Sequence, residues 1–195
     1  MKKIWDHYSE LAKKEGYPAR SVYKLEEILN KTRLVKRNSG ILDIGAAPGS
    51  WSLYLYRKFQ ARITAIDLQP LTIQPNPKIE FIQGDAFSPE IINMIKEKPL
   101  YDGIVSDAAP STSGNKTIDG AASCELANGV IKLCRDVLKP GGFLIVKIFQ
   151  CGDEKEQLDE IRANFQTARA LKPKASRNES FEVFFIGTGY RGTKS

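Results

Sequence analysis

Three features that could bind a small polar ligand follow successive predicted strands of this 195-residue chain. The segment GAAPG at 45–49 is a glycine turn, and Asp67 and Asp85 end the next two apolar segments. Glycines let the backbone turn tightly beside a ligand, and a carboxylate at the second strand end can accept hydrogen bonds from both ribose hydroxyls. The next carboxylate can accept from an exocyclic amine. Either acid alone would most simply cap a strand end, but the ordered set predicts an adenosine moiety.

The glycine pattern also distinguishes between the cofactors that contain adenosine. The turn does not read G-x-G-x-x-G, because Ala47 occupies a position where that pattern has glycine and Pro48 precedes the last glycine. A second glycine pattern for a pyrophosphate is missing from the chain. We therefore expect S-adenosylmethionine rather than a dinucleotide.

Charged residues also interrupt segments that should be buried. Asp107 follows the fourth apolar segment, Lys147 lies inside FLIVKIF at 143–149, and Glu182 lies inside FEVFFIG. A buried ammonium is costly unless it is paired. If the last strand is antiparallel, Glu182 and Lys147 can meet beside Asp107, either as a reaction centre or as a structural ion pair. Lys24, on the helix after Pro18, is a fourth candidate, although by itself it would be an ordinary surface lysine.

The elements that must position these residues alternate along the chain. Helices are predicted over 1–15, after Pro18, and over 50–59, 89–97, 118–138 and 153–165. Strands are predicted over 40–45, 61–67, 79–83, 102–107, 143–149, 168–172 and 181–187. Strands that are nearly continuous in Val, Ile and Leu are typical of a parallel sheet covered on both faces. The last two strands are separated by too few residues for a helical crossover and should pair antiparallel. The sequence thus predicts a doubly wound α/β fold with a mostly parallel seven-stranded sheet and one antiparallel strand.

Charge is distributed unevenly along the chain, whose net charge is +6. Residues 1–40 carry 10 basic against 5 acidic side chains and residues 169–195 carry 6 against 2, whereas the middle is net acidic. Two basic ends on an acidic body indicate a polyanion as partner, with solubility alone as the competing explanation. We expect a single domain over 1–195, with a basic helical extension at about 1–38. The basic candidates for contact with this polyanion are Lys13, Lys14, Arg20, Arg33, Lys36, Arg37, Lys172, Lys174 and Arg177.

Other features exclude several classes of protein. The first residues lack the apolar stretch of a secretory signal, and the apolar runs are too short to cross a bilayer. Three cysteines without a C-x-x-C pattern predict neither a disulfide framework nor a metal site. We expect a cytoplasmic protein with no metal and no membrane partner.

The motifs around the four charged residues resemble those of a known enzyme family. Lys24, Asp107, Lys147 and Glu182 look like the K-D-K-E tetrad of S-adenosylmethionine-dependent RNA 2′-O-ribose methyltransferases. The surrounding segments resemble the FtsJ family of ribosomal RNA large-subunit methyltransferases from about residue 8 to 189. The segments are SVYKL at 21–25, LDIGAAPGSW at 42–51, SDAAP at 106–110 and VKIFQ at 146–150.

This resemblance implies a Rossmann-like methyltransferase fold and 2′-O-methylation of a ribose, with a uridine of 23S-type ribosomal RNA as the expected target. It implies Lys147 as catalytic base, supported by Lys24, Asp107 and Glu182. The expected partner is ribosomal RNA, within the large subunit or its precursor, and the expected state is a monomer. The expected cofactor contacts are Gly45, Pro48, Gly49, Trp51, Asp67, Asp85 and Asp107.

Several alternatives remain open at this level. A ribose hydroxyl is a poor nucleophile, so the enzyme must align it and take its proton, and Lys147 either deprotonates the hydroxyl or orients it. Transfer RNA is an alternative target to ribosomal RNA. A non-catalytic ribosome-assembly factor on the same fold is a second alternative, although a binding protein has no need of a buried lysine between carboxylates. A nicotinamide dehydrogenase is disfavoured by the missing dinucleotide motif.

Overall fold

The computed structural model of the protein describes residues 2–150, 152, 154–176 and 180–192. In these residues the strands are β1 (Gly40–Ile44), β2 (Arg62–Asp67), β3 (Ile79–Gln83), β4 (Tyr101–Ser106), β5 (Leu138–Phe149), β6 (Phe165–Leu171) and β7 (Glu182–Tyr190). The helices are α1 (Lys2–Lys14), α2 (Val22–Thr32), α3 (Ser50–Phe59), α4 (Pro89–Lys96), α5 (Lys116–Val137) and α6 (Lys155–Asn164).

The seven strands form one sheet in the order β3-β2-β1-β4-β5-β7-β6. The first five strands are mutually parallel, and β7 is antiparallel to both β5 and β6. The chain order reverses between β1 and β4, which creates a crevice beyond the carboxyl ends of these neighbouring strands. The predicted fold class is confirmed, including the antiparallel strand.

Helices cover both faces of the sheet. One apolar cluster packs α4, α5 and α6 against the sheet, and a second cluster packs α1, α2 and α3 on the opposite face. Successive side chains of a strand point to opposite faces. In β5, Leu144 and Val146 therefore belong to the first cluster, while Phe143 and Ile145 belong to the second. Lys147 continues the second set, so it faces the layer that contains α2.

The N-terminal helices pack through apolar faces of helical period. Ala12 of α1 and Val22, Leu25, Ile28 and Leu29 of α2 are buried. All five belong to the cluster that covers the sheet on this side. This packing fixes the orientation of α2, whose first turn carries Lys24, relative to the sheet. No described helix is long and apolar enough to span a bilayer.

Several element boundaries differ from the prediction. The strand β5 starts at Leu138 rather than 143, because a register shift lets Leu138 pair with Tyr101 before the glycines. The strand β6 starts at Phe165 rather than 168, since Phe165 pairs across the strands with Tyr190, at 5.3 Å between ring centroids. The predicted start of the last helix at residue 153 lies outside the described residues. These shifts leave the carboxyl ends of the parallel strands unchanged.

Candidate active site

The glycine turn after β1 is packed tightly against the loop after β4. Gly45 has φ +74°, and a Cβ at this position would lie 2.5 Å from the Cα of Ala108. The backbone N–H groups of Gly45 and Ala46 both donate to the carbonyl of Ile66, at 2.9 and 3.1 Å. Only glycine combines this conformation with so close a backbone approach. The turn therefore brings the ends of β1, β2 and β4 together.

A cavity of about 320 Å³ opens at this junction. Gly45, Asp67, Asp85 and Asp107, four of the predicted cofactor contacts, line it. The rest of the lining is mostly apolar and includes Ile44, Ile66, Leu68, Phe87 and Leu126. A largely apolar pocket with a few convergent polar groups is typical of a small-molecule site. The structure thus brings together the features that the sequence placed at three successive strand ends.

The carboxylates of Asp67 and Asp85 also hold the local backbone. Asp67 accepts from the N–H of Ala47 at 2.9 Å and from the N–H of Gln69 at 2.8 Å. Asp85 accepts from the N–H of Phe87 at 2.9 Å. A carboxylate has about four acceptor sites. Each acid therefore caps a turn, as the structural interpretation expected, and keeps capacity to accept from a ligand.

Three other predicted cofactor contacts do not line this cavity. Pro48 and Gly49 lie on the far side of the turn, where the Pro48 carbonyl accepts from the N–H of Thr72 at 3.0 Å. Trp51 is only 2% exposed, and its Nε1 donates to the carbonyl of Ser21 at 2.9 Å. An indole is large and apolar, so it fills the space between α3 and α2 rather than facing the cavity.

The four charged candidates form two ion pairs beside the cavity. The Nζ of Lys147 lies 3.0 Å from Oδ1 of Asp107 and also donates to the Asp107 carbonyl. The Nζ of Lys24 lies 2.6 Å from Oε1 of Glu182. Lys147 and Glu182 are only 8% and 7% exposed. Two cations and two anions are thus held at one end of the sheet, with formal charges that cancel.

The partner of Glu182 differs from the expected one. Glu182 pairs in register with Phe149, two residues beyond Lys147 on β5, and its carboxylate contacts Lys24 of α2. Glu182 forms an ion pair with Lys24, whereas the sequence suggested contact with Lys147. The register explains the difference, because side chains two residues apart on a strand are separated by nearly 7 Å.

Electrostatics keep Glu182 ionised in spite of its burial. Burial alone would raise the pKa of Glu182, but the charge and hydrogen bond of Lys24, with a smaller contribution from Lys147, lower it. The Lys147 charge thus acts on Glu182 without forming its closest contact. The carboxylate remains a fixed negative charge between two lysines.

Asp43 is a buried acid that the sequence interpretation included only as part of a motif. It is 1% exposed, its Oδ2 accepts from Ser52 Oγ at 2.6 Å, and its Oδ1 has no hydrogen-bond partner among the described residues. Burial raises the pKa of Asp43 to about 7, and the charges of Asp107 and Asp67 act in the same direction. A carboxyl inside the apolar segment GILDI was the available signal. It is the same kind of signal that drew attention to Lys147.

The basic residues divide between the two ends of the parallel strands, the carboxyl end that carries the ion pairs and the amino end. Arg20 donates to the carbonyl of Ala175 at 2.9 Å, and the N–H of Lys174 donates to Glu27 at 2.7 Å, so the two basic ends of the chain meet beside the ion pairs. Lys172 follows β6 at this end of the sheet, and Lys13, Lys14 and Lys172 are all exposed. Arg33, Lys36 and Arg37 instead precede the amino end of β1, at the opposite end of the sheet. Arg177 lies outside the described residues.

Metal ligands do not converge in the part of the chain that the structure describes, where no group of three His, Cys, Asp or Glu side chains could hold an ion.

Comparison with known proteins connects this geometry to a family. The sequence model of the family described as FtsJ-like methyltransferase matches residues 17–190. A ribosomal RNA large subunit methyltransferase E from Treponema denticola is 46% identical over 190 residues, which cover 96% of each chain. The crystal structure of a ribosomal RNA methyltransferase from Plasmodium falciparum is 32% identical, with a TM-score of 0.78 over 91% of this chain and 100% of that one. Human methyltransferase-like protein 13, solved with SAH, shares only the fold, at 14% identity and a TM-score of 0.61 over 86% of this chain and 79% of that one.

Proposed function

The chain belongs to the FtsJ-like methyltransferase family, and we propose that it is an S-adenosylmethionine-dependent 2′-O-ribose methyltransferase of large-subunit ribosomal RNA. The observation that carries this proposal is the double role of Asp107. Its side chain lines the cavity that suits an adenosine moiety, and its carboxylate holds the ammonium of Lys147 at 3.0 Å. Asp107 therefore contacts both the proposed cofactor pocket and a buried lysine. We further propose that residues 1–195 act as one domain, with the extension at about 1–38 on the RNA side.

The residues of the cavity fit the proposed cofactor. Asp67 and Asp85 supply acceptors for ribose hydroxyls and an amine, and Phe87 and Leu126 supply apolar walls for a flat ring. S-adenosylmethionine brings a methyl group that is already activated by a positively charged sulfur. Asp107, at the other end of the lining, is the carboxylate that would face this charge. Of the predicted cofactor contacts, Gly45, Asp67, Asp85 and Asp107 line this cavity and carry the proposal, while contacts with Pro48, Gly49 and Trp51 stay predictions.

The proposed chemical step depends on Lys147 meeting the 2′-hydroxyl. Neutral Lys147 would take the proton of the hydroxyl, whereas charged Lys147 would only hold the hydroxyl oxygen in line for attack while the proton leaves to water. Asp107 fixes the position of the lysine Nζ, and Glu182, paired with Lys24, adds a second negative charge near the two lysines. The chain's own contribution is therefore alignment, a proton acceptor and balanced charge in a mostly buried site.

Cofactor affinity should depend on Asp67. We expect Asp67→Ala to raise the Kd for S-adenosylmethionine about 5- to 150-fold, or about 1–3 kcal/mol, because a charge-assisted pair with the ribose is lost. Isothermal titration calorimetry measures the change. Asp102→Ala is the matched control. Asp102 accepts from the N–H of Gly40 at 2.7 Å and pairs with Lys139 at 2.7 Å, so it caps the backbone in a similar way at the opposite edge of the sheet.

Both variants should lose stability from the missing cap, but only Asp67→Ala should lose cofactor affinity. Equal affinities for the two variants would contradict the assignment of Asp67.

We propose that RNA binds at the end of the sheet that carries the ion pairs, beyond the carboxyl ends of the parallel strands. Each phosphate contact that is lost should reduce the slope of log affinity against log salt by about 0.7–0.9. We expect Lys172→Gln combined with Lys174→Gln, which lie at this end of the sheet, to lower the slope by nearly two such contacts. Lys36→Gln combined with Arg37→Gln, at the opposite end, should change it little. Filter-binding titrations at several salt concentrations provide the measurement. RNA affinity that is insensitive to salt, or equal effects of the two pairs, would contradict the proposal.

The target is tested by supplying the purified protein and labelled S-adenosylmethionine with large subunits, free large-subunit RNA, small subunits and transfer RNA. We expect label only in the large-subunit samples, on a ribose 2′-oxygen. Mapping of 2′-O-methyl sites in cellular RNA with and without the gene then locates the nucleotide. Label in transfer RNA alone would assign the other target, and absence of transfer would favour a non-catalytic assembly factor. We also propose that the protein acts as a cytoplasmic monomer, since one chain supplies both ion pairs and the cavity.

A further inference from the structure

Two phenylalanines form an aromatic pair at the end of β5. Phe149 and Phe181 have ring centroids 5.9 Å apart and planes inclined by 79°, an edge-to-face geometry. The pair is tied together by the backbone, because the N–H of Gln150 donates to the Phe181 carbonyl at 2.7 Å. Both rings remain partly exposed, whereas Ile148 and Val183 beside them are buried. The aromatic pair therefore presents apolar surface to the outside at this point.

The aromatic pair borders the ion pairs directly. The Nζ of Lys147 lies 5.9 Å from the centroid of Phe149, and Glu182 is the register partner of Phe149. On the other side, the Nζ of Lys116 lies 5.2 Å from the centroid of Phe181, and Lys116 is exposed at the start of α5. A partly exposed aromatic surface thus lies between a buried lysine and an exposed one.

We propose that Phe149 and Phe181 form the platform on which the base of the methylated nucleotide rests, with Lys116 facing a neighbouring phosphate. This inference rests on the proposed function, because it takes the ribose hydroxyl to lie at Lys147. In a nucleotide the base is attached to the carbon next to the one that bears the 2′-hydroxyl. The base must therefore lie within a few ångströms of the surface around Lys147, where the aromatic pair is found.

The chemistry of the pair suits any base that is unstacked from its neighbours. Phenylalanine has no hydrogen-bonding group, so the platform would hold a base by its face without reading its edge. Stacking of this kind is tolerant of sequence, and an exposed lysine adds attraction for the backbone. The aromatic pair would therefore position the nucleotide, while the choice of nucleotide would depend on other contacts of the RNA.

The test is a double-mutant cycle between the protein and the RNA. The substrate is an RNA or ribosomal particle that the wild-type protein methylates, prepared with either the natural nucleotide or an abasic ribose that keeps its 2′-hydroxyl. We expect Phe149→Leu and Phe181→Leu each to reduce the single-turnover rate at subsaturating RNA by about tenfold on the natural substrate. On the abasic substrate, the same variants should differ from wild type by less than about twofold.

Phe59→Leu is the matched control, since Phe59 is also partly exposed and packs edge-to-face against an aromatic ring, Tyr54 at 6.2 Å, but at the far end of α3. It should leave both rates unchanged. Cofactor affinity and thermal unfolding of all variants show whether the site is intact. Equal losses on the natural and abasic substrates would mean that the aromatic pair is structural and would overturn the inference. Failure of the wild-type protein to methylate any RNA would instead contradict the proposed function.

Discussion

Replacement of Lys147 by alanine is expected to reduce the single-turnover rate of RNA methylation by at least about 10²-fold, the contribution typical of a group that handles the proton in the transition state. The reason is its position, since its Nζ lies 3.0 Å from Asp107, which lines the cavity proposed for the cofactor. The loss should exceed that of Glu182→Ala, whose carboxylate is paired with Lys24 and acts through charge balance. Rapid-quench methylation under single-turnover conditions, with saturating cofactor and RNA, measures both effects.

The control for this experiment is cofactor binding by the same variant. Gly45, Asp67 and Asp85 are unchanged in Lys147→Ala, so the Kd for S-adenosylmethionine should stay within a few-fold of wild type. Lys147→Arg keeps a positive charge near Asp107 but cannot act as a base at accessible pH. Loss of activity in Lys147→Arg would favour proton transfer, and substantial activity would favour orientation of the hydroxyl. Near wild-type turnover in Lys147→Ala would contradict both roles and leave the lysine as a structural partner of Asp107.

The second large effect is expected for Gly45→Ala. A methyl group here would lie 2.5 Å from the Cα of Ala108, and the residue would have to keep φ +74°. The turn and the loop after β4 would have to separate, which would displace Asp107 from the cavity lining. We expect at least about a tenfold loss of cofactor affinity and a fall in the free energy of unfolding of about 1–3 kcal/mol. Calorimetric titration and urea unfolding measure the two quantities.

Gly141→Ala separates the two causes. Gly141 has a similar φ of +81°, but a Cβ there would meet no atom within 4 Å. It should therefore show only the conformational part of the destabilisation, with cofactor affinity unchanged. If Gly45→Ala bound the cofactor as tightly as Gly141→Ala, the close approach of the turn to the loop would have no part in forming the site.

The sequence by itself determined the fold class and the approximate strands, because the relevant signals are local. Nearly continuous apolar strands separated by amphipathic helices indicate a parallel sheet, and the short segment before the last strand requires an antiparallel pair. The charged candidates were also identified from local sequence patterns. Lys147 and Glu182 interrupt apolar strands, and Asp67, Asp85 and Asp107 follow strand ends that must share one edge of the sheet. Asp43 carried the same signal, but its position in the middle of β1 drew no separate interpretation.

Only the tertiary structure decided how these side chains combine. In the β5–β7 register, Glu182 lies opposite Phe149 rather than Lys147 and forms its ion pair with Lys24. A shift of one residue in this pairing would have turned the Glu182 side chain to the other face of the sheet. Packing of α3 against α2 buries Trp51, although the motif had suggested a cofactor contact.

The course of the chain also separates basic residues that are close in sequence. The helix α2 runs from the carboxyl ends of the parallel strands, where the ion pairs lie, to their amino ends. Arg20, before α2, and Lys36, after it, therefore lie at different ends of the sheet. The same long-range packing brings Phe149 and Phe181 together beside Lys147. The physical reason is common to all these cases. Local periodicity fixes which face a residue occupies within its own element, whereas partners from distant segments depend on register, helix direction and the packing of the whole domain.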